Sequence, residues 1–302
     1  MPGLTPHFAL ANRVLDRWRR SGENAPFGLY ASADLNAFLQ GAVGPDFGYM
    51  PGGHRPLSEL AHGVRTGELT SRLIRSARTS VERAFAWGWL THVLGDRLIH
   101  PWIGRGVGEL TVGCSRTFVA GATDPGSHLR VEIGVDCCFA ARDAAARGVR
   151  LRPAFDALSI NFLSHAYAKT YGFVPRHDSL LASHRHMGRR VSQSLGSIGL
   201  LSALMDRGTG PRRWSALQWA LRAAHRSTLI SGISMAYLSP VRPGRWLMDA
   251  IDAVIPSHTD LFMTMYRQGG TDIGDYNLDT GAPLTRTPSD ARHGRLAEVG
   301  SA

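Results

Sequence analysis

With 302 residues, 43% of them hydrophobic, the chain is long enough to bury a sizeable core in one large domain or two small ones. It has no run of eighteen or more apolar residues, so no transmembrane span is expected, and Met-Pro-Gly-Leu-Thr-Pro-His-Phe lacks the basic-then-apolar pattern of a secretory signal; the expectation is a cytoplasmic protein. The formal charge of +10 is almost all arginine, since Lys169 is the only lysine; this fits phosphate recognition and equally a codon bias that replaces lysine by arginine across the surface, and because the arginines are scattered in pairs such as Arg19-Arg20 and Arg212-Arg213 with no basic block, nucleic-acid binding gains only weak support.

The first predicted element is a helix over 5–20, with Phe8, Leu10, Val14, Leu15 and Trp18 on an apolar face. His7 falls in its first turn just after Pro6, and Ser21-Gly22 with Pro26 should end it. A short helix over 32–40 follows. The Gly- and Pro-rich stretch 41–56 reads as an ordered loop that presents Asp46 on a rigid turn. From Glu68 to Ile99 the pattern is helical throughout, about 50 Å if unbroken. Its stripe runs Leu69, Leu73, Ala77, Val81, Phe85, Gly88 and then His92 and Asp96. Pro101 is expected to close this helix just after His100.

His92, Asp96 and His100 recur at four-residue steps, which stacks them on one helical face among Val93, Leu94, Leu98 and Ile99. Burying such a ladder without a partner is costly. A divalent metal is one solution, and imidazole with carboxylate suits zinc. The other reading is two satisfied histidines and a solvated Asp, but the apolar stripe leading into the ladder turns it inward.

Residues 104–126 read as a Gly-rich loop over the site. Asp124-Pro125 is then an N-cap with proline at the first helical position. The helix it opens carries His128 and Glu132, again four apart, with Asp136 one step further as either a ligand-orienting group or an exposed charge. Cys114, Cys137 and Cys138 are odd in number and without zinc-ribbon spacing, so buried free thiols are expected. Further helices are expected near 153–169, 189–206, 213–237 and 244–266, with no strand alternation. His165, His177, His184 and His186 invite a second metal-site reading in a polar, Arg-rich region. From Gly269 onward Gly, Asp, Thr and Pro dominate, giving a helical domain over 1–268 and a disordered tail over 269–302.

Collected, the candidates are His7, Asp46, His62, His92, Asp96, His100, His128 and Glu132. This set exceeds the needs of one zinc ion and suits two or three neighbouring ions sharing Asp96. Together with Pro45-Asp46, the spaced pairs His92/Asp96 and His128/Glu132, in this order, resemble the zinc-dependent phospholipase C superfamily, which includes the fungal single-strand nucleases. The opening Gly3-Leu4-Thr5-Pro6-His7 resembles its glycosylphosphatidylinositol-specific phospholipase D branch. The likeness covers about residues 1–140.

The resemblance implies an all-α, single multi-helix zinc-dependent phospholipase C-like domain that hydrolyses a phosphodiester, with a phospholipid or related head group as substrate. By analogy Asp46, His62, His92 and Asp96 hold one zinc ion, and His100, His128 and Glu132 another. His7 and the bridging Asp96 bind a third, in the family with help from a free N-terminal amine; this chain departs there by starting Met-Pro. His62 is preferred to His54, which falls in the Gly/Pro loop. Asp46 is assigned as the base that orients a metal-held hydroxide for in-line attack on phosphorus. Alternatives are a nuclease or nucleotidase of the same superfamily, with Trp87, Trp89 or Trp102 as a base-stacking clamp, and a non-catalytic zinc protein meeting a partner or an anionic membrane face.

Overall fold

In the computed structural model the described residues are 3–50, 52–152, 157–206 and 240–284. They form ten α-helices: α1 (Leu4–Ser21), α2 (Ser32–Gly41), α3 (Arg55–Gly63), α4 (Thr66–Ser76), α5 (Ser80–Val112), α6 (Pro125–Arg142), α7 (Ala144–Arg147), α8 (Ala157–Tyr171), α9 (His177–Asp206) and α10 (Arg245–Arg267). A 3-10 turn, Gly44–Gly48, lies between α2 and α3. Among the described residues the only strand-like pairing is an isolated antiparallel bridge between Tyr276 and Pro283. The expected helix over 213–237 lies outside the described residues.

Helix α5 is the axis, with α1, α2, α4, α6 and α10 packed around it. Its sequence is apolar nearly all round at mid-length, from Ala84 to Leu94, as a helix buried on every side must be. The α2–α5 crossing is made by two glycines. A Cβ on Gly41 would lie 2.1 Å from the Phe85 carbonyl oxygen, and one on Gly88 would lie 2.0 Å from that of Phe38. Backbone therefore meets backbone, and the chain leaving α2 is carried against the middle of α5. At one end Trp18 is ringed edge-on by Phe27, Phe38, Phe262 and Tyr266, tying α1, α2 and α10 together.

Three sequence expectations change. The long helix from Glu68 is two helices, because Thr79 and Glu82 form a reciprocal capping box: Glu82 N–H donates to Thr79 Oγ1, and Thr79 N–H to Glu82 Oε2. Pro101 does not close α5, which runs on to Val112 and ends at Gly113 in the left-handed region (φ 72°). Proline at 101 removes the bond to the Arg97 carbonyl. That carbonyl instead faces Gly281, where a Cβ would sit 2.7 Å from its oxygen. The loop expected over 104–126 therefore shrinks to the residues between Gly113 and the Asp124 cap, whose Oδ1 accepts from Ser127 N–H at 3.0 Å.

The third change concerns the tail. Residues 269–284 are ordered against α3, α4 and α5, with hydrogen bonds from Gly270, Tyr276, Asn277, Leu278, Gly281 and Leu284. The polar, Gly-rich composition serves turns and helix caps here, so it does not mark disorder. The expected tail beyond Leu284 lies outside the described residues. Cys137 is buried, whereas Cys114 and Cys138 are half-buried, and all three are free thiols.

Candidate metal centre

Five separate pieces of chain converge on one buried point. Helix α1 contributes His7, the 3-10 turn Asp46, α3 His62, α5 the ladder His92, Asp96 and His100, and α6 the pair His128 and Glu132. All eight are at most 7% exposed, far below what such polar side chains tolerate without partners. Their ligand atoms form three groups: Asp46 with His62 and His92; His100 with His128 and Glu132; and His7 with His92 and Asp96.

Asp96 is the hub. Its Oδ1 lies 3.1 Å from His7 Nε2 and 3.6 Å from His100 Nε2, and its Oδ2 lies 3.0 Å from His92 Nε2 and 3.5 Å from His62 Nε2. Asp46 Oδ1 is 3.2 Å from His62 Nε2 and 3.9 Å from His92 Nε2. On the far side Glu132 Oε1 is 2.8 Å from His128 Nε2 and 3.4 Å from His100 Nε2.

The backbone decides which ring nitrogen faces inward. His62 Nδ1 meets the Ser58 carbonyl at 2.7 Å, His92 Nδ1 that of Ala42 at 3.0 Å and His100 Nδ1 that of Leu278 at 2.6 Å. A carbonyl can only accept, so each Nδ1 carries its hydrogen and each Nε2 lone pair points into the cluster. This is the arrangement that prepares histidine for a metal. The His92–Ala42 bond follows directly from the glycine crossing of α2 over α5.

Lone pairs against carboxylates repel unless cations lie between them, and the electrostatics show that demand. Burial lowers the His62 pKa, but Asp46 and Asp96 outweigh it and push the group up to about 10. His100 is likewise depressed by burial and then raised to about 9 by Asp96 and Glu132. Burial raises Asp96, yet His100, His92 and His7 hold it well below the usual carboxylate range, and Glu132 is also lowered, chiefly by His128. His7 goes the other way: burial and the neighbouring His92, whose ring stacks on it at 4.0 Å, lower its pKa against the pull of Asp96. Asp46 Oδ2 is buried with no hydrogen-bond partner. Hard and borderline donors, inward lone pairs and a surplus of unneutralised carboxylate fit zinc.

Asp136, left open between an orienting role and an exposed charge, is 3% exposed and belongs to the frame. Its carboxylate accepts from the Leu4 N–H at 3.2 Å, the Thr5 N–H at 2.7 Å and the Thr5 hydroxyl. It thus caps α1 from across the sequence and fixes the turn that carries His7. His54 is exposed at the start of α3 and stands apart from the cluster that contains His62. The histidines of the second-site reading do not converge. His165 is exposed and His184 is buried between Phe47 and Phe85, and among the described residues neither they nor His177 belong to a group that could hold a metal. The side chain of His186 lies outside the described residues. Trp87 and Trp89 are core residues at 5% and 0% exposure, so they do not form a base-stacking clamp. Sequence reasoning missed Leu278, which acts through its main chain and leaves no residue-type signal.

A small, partly open cleft borders the cluster, lined by the polar His7, Asp96, His100 and Glu132 together with the apolar Pro6, Ile99, Ile103 and Val135. No described helix is long and apolar enough to cross a membrane. No curated protein and no solved structure matches the chain. The family profile described as zinc dependent phospholipase C matches residues 6–177, a span that contains every one of the eight clustered side chains. The chain belongs to the zinc-dependent phospholipase C family, whose members are zinc-dependent phosphodiester hydrolases.

Proposed function

We propose that this protein hydrolyses a phosphodiester at a cluster of two or three zinc ions, with a phospholipid or related head group as substrate. The observation that carries the reading is the convergence of eight buried donors from five pieces of chain on the shared carboxylate of Asp96. Bound zinc supplies Lewis-acid stabilisation of phosphoryl charge and a water of lowered pKa.

The chain's own groups set how many ions fit. His92 has spent Nδ1 on the Ala42 carbonyl, so its single Nε2 lone pair can serve one ion only. The two groups that both include His92 therefore compete for it. Asp46, His62 and His92 hold one ion, and His100, His128 and Glu132 a second. His7 and Asp96 remain for a third, which needs donors beyond these two side chains. Asp46 Oδ2 is the oxygen placed to take the proton of the attacking water, because it alone of the carboxylate's atoms has no imidazole against it.

An exposed apolar patch supports a lipid substrate. Val64 follows the end of α3, the helix that carries His62, and Phe173 and Val174 follow the end of α8; all three are exposed, and Tyr171 joins the two helix ends through hydroxyl bonds to the Leu60 and Val64 carbonyls. With Lys169 and Arg176 nearby in sequence, the patch fits transient contact with an anionic membrane face.

The test is zinc per chain by elemental analysis on wild type and His92→Ala, with turnover of bis(4-nitrophenyl) phosphate on the same samples. Two or three zinc ions, lost together with turnover in the variant, is the expected result. Zinc without turnover of this ester, of phospholipid vesicles or of single-stranded DNA would overturn the catalytic reading and leave a structural metal centre. Turnover of DNA but not of vesicles would transfer the assignment to nucleic acid.

A further inference from the structure

Residues 274–284 lie almost a hundred residues beyond the family match, yet they touch the metal centre from both sides. Leu278 is fully buried, and its two main-chain groups are both used. Its N–H donates to the carbonyl of His62 itself at 2.8 Å, and its carbonyl accepts Nδ1–H of His100 at 2.6 Å. One peptide segment thus links a ligand of the Asp46 group to a ligand of the Glu132 group.

The segment is pinned by bonds independent of the centre. Asp275 Oδ1 accepts from Gly67 N–H at 2.9 Å and Glu68 N–H at 3.1 Å, capping α4. Thr66 and Tyr276 exchange two bonds, the hydroxyl donating to the Tyr276 carbonyl at 2.9 Å and accepting its N–H at 2.8 Å. The Arg97 guanidinium, next in sequence to Asp96, lies 3.9 Å from the centre of the Tyr276 ring. Gly281, at φ 69°, fits against the Arg97 carbonyl that Pro101 leaves without its helical donor. Asn277 accepts from Gly281 N–H and donates to the Ala282 carbonyl, both at 2.8 Å, closing the turn that contains Leu278.

We infer that this strap is a positioning element of the metal centre: Asp275 and Thr66 hold Leu278 so that its carbonyl fixes the ring orientation and tautomer of His100. The inference rests on the zinc reading above. Rings of His62 and His92 take their orientation from carbonyls inside or beside their own helices, at Ser58 and Ala42. Only His100 depends on a segment outside the matched span, 178 residues away. Loosening the strap therefore frees one ion selectively, the one held by His100, His128 and Glu132.

The experiment compares full-length wild type, Asp275→Ala, Asp275→Asn and Thr79→Ala, each loaded with zinc and then mixed with a chromogenic chelator. The expected result is a phase of one zinc ion that leaves 10–100-fold faster in Asp275→Ala, the usual size for removing support behind a metal ligand, with the other phase unchanged. Asp275→Asn, which keeps an acceptor for α4, restores the slow phase. Thr79→Ala removes a different helix cap and leaves release unaltered. Histidine ¹⁵N spectra add a readout independent of metal: the protected Nδ1–H signal of His100 is lost in Asp275→Ala, and those of His62 and His92 persist. Thr66→Ala, a milder change, should shift the same phase in the same direction. Identical release and an intact His100 signal in an Asp275→Ala protein whose strap has become protease-sensitive would overturn the inference while the zinc reading stood. A wild type that binds no zinc would overturn both.

Discussion

Replacing Asp96 by asparagine keeps its volume and removes one negative charge from the centre of the cluster. Four imidazole Nε2 atoms lie 3.0 to 3.6 Å from its two oxygens. A unit positive charge at 3 Å interacts with it by about 5 kcal/mol at an effective dielectric of ~20. Part of that is offset by desolvation, and removing one partner of a buried pair costs about 3–5 kcal/mol overall. At about 1.4 kcal/mol per tenfold, zinc affinity should fall by about two to four orders of magnitude. Because Asp96 reaches ligands in all three groups, the loss should affect more than one ion. The assay is elemental analysis after dialysis against a zinc buffer, paired with phosphodiester turnover and a thermal melt. Asp96→Asn that keeps its full zinc complement and wild-type turnover would refute the reasoning, since among the described residues Asp96 is the carboxylate within 3.6 Å of imidazoles on both sides of the cluster.

Four further outcomes follow from the same structure. Gly88→Ala forces a methyl into the Phe38 carbonyl, so it should lower stability by several kcal/mol, on the scale of overpacking, and weaken zinc binding by moving Ala42 away from His92; calorimetry and zinc titration on one preparation check both. Asp136 is pushed up to about 7 by burial, against the hydrogen bonds from Thr5 and Leu4 that lower it. A folded pKa above the unfolded one contributes stability that is full below about 4 and lost as pH rises through about 7, so chelator-treated wild type should weaken over that window and Asp136→Asn should flatten the slope in urea titrations. Thr79→Ala should cost about 1 kcal/mol of stability by losing the capping box, with zinc content unchanged. Chelation of zinc should lower the melting temperature in proportion to the logarithm of free metal, read by melts at several buffered zinc concentrations.

The clustered donors were legible because each is a chemistry-bearing side chain, most of them at a spacing that a helix turns into a face. His92, Asp96 and His100 need only the 3.6-residue period to stack, as do His128 and Glu132. The boundaries were less legible. The Thr-x-x-Glu signature at Thr79 does mark a helix start, but the apolar stripe runs across it and masks the break. Pro101 reads as a stop because proline's lost hydrogen bond is a local fact, whereas the Gly281 backbone that occupies that place comes from far along the chain. Asp136 and Leu278 lay beyond reach for the same reason: their partners, Thr5 and His100, are 131 and 178 residues away. Main-chain carbonyls carry no residue signature at all, so the tautomer of three clustered histidines could not be read from sequence.

The wide spread of the candidate ligands along the chain has a kinetic side. Local pairs such as His92/Asp96 and His128/Glu132 exist as soon as a single turn of helix forms, but His7, Glu132 and Leu278 meet only after most of the chain has collapsed. Metal captured early by a local pair would hold an incomplete site, and a chain with thirteen histidines offers many such pairings. Refolding from denaturant should accordingly be cleaner when zinc is withheld until the helices have assembled and then added. Zinc uptake would then report the docking of the segment at Leu278 against His100.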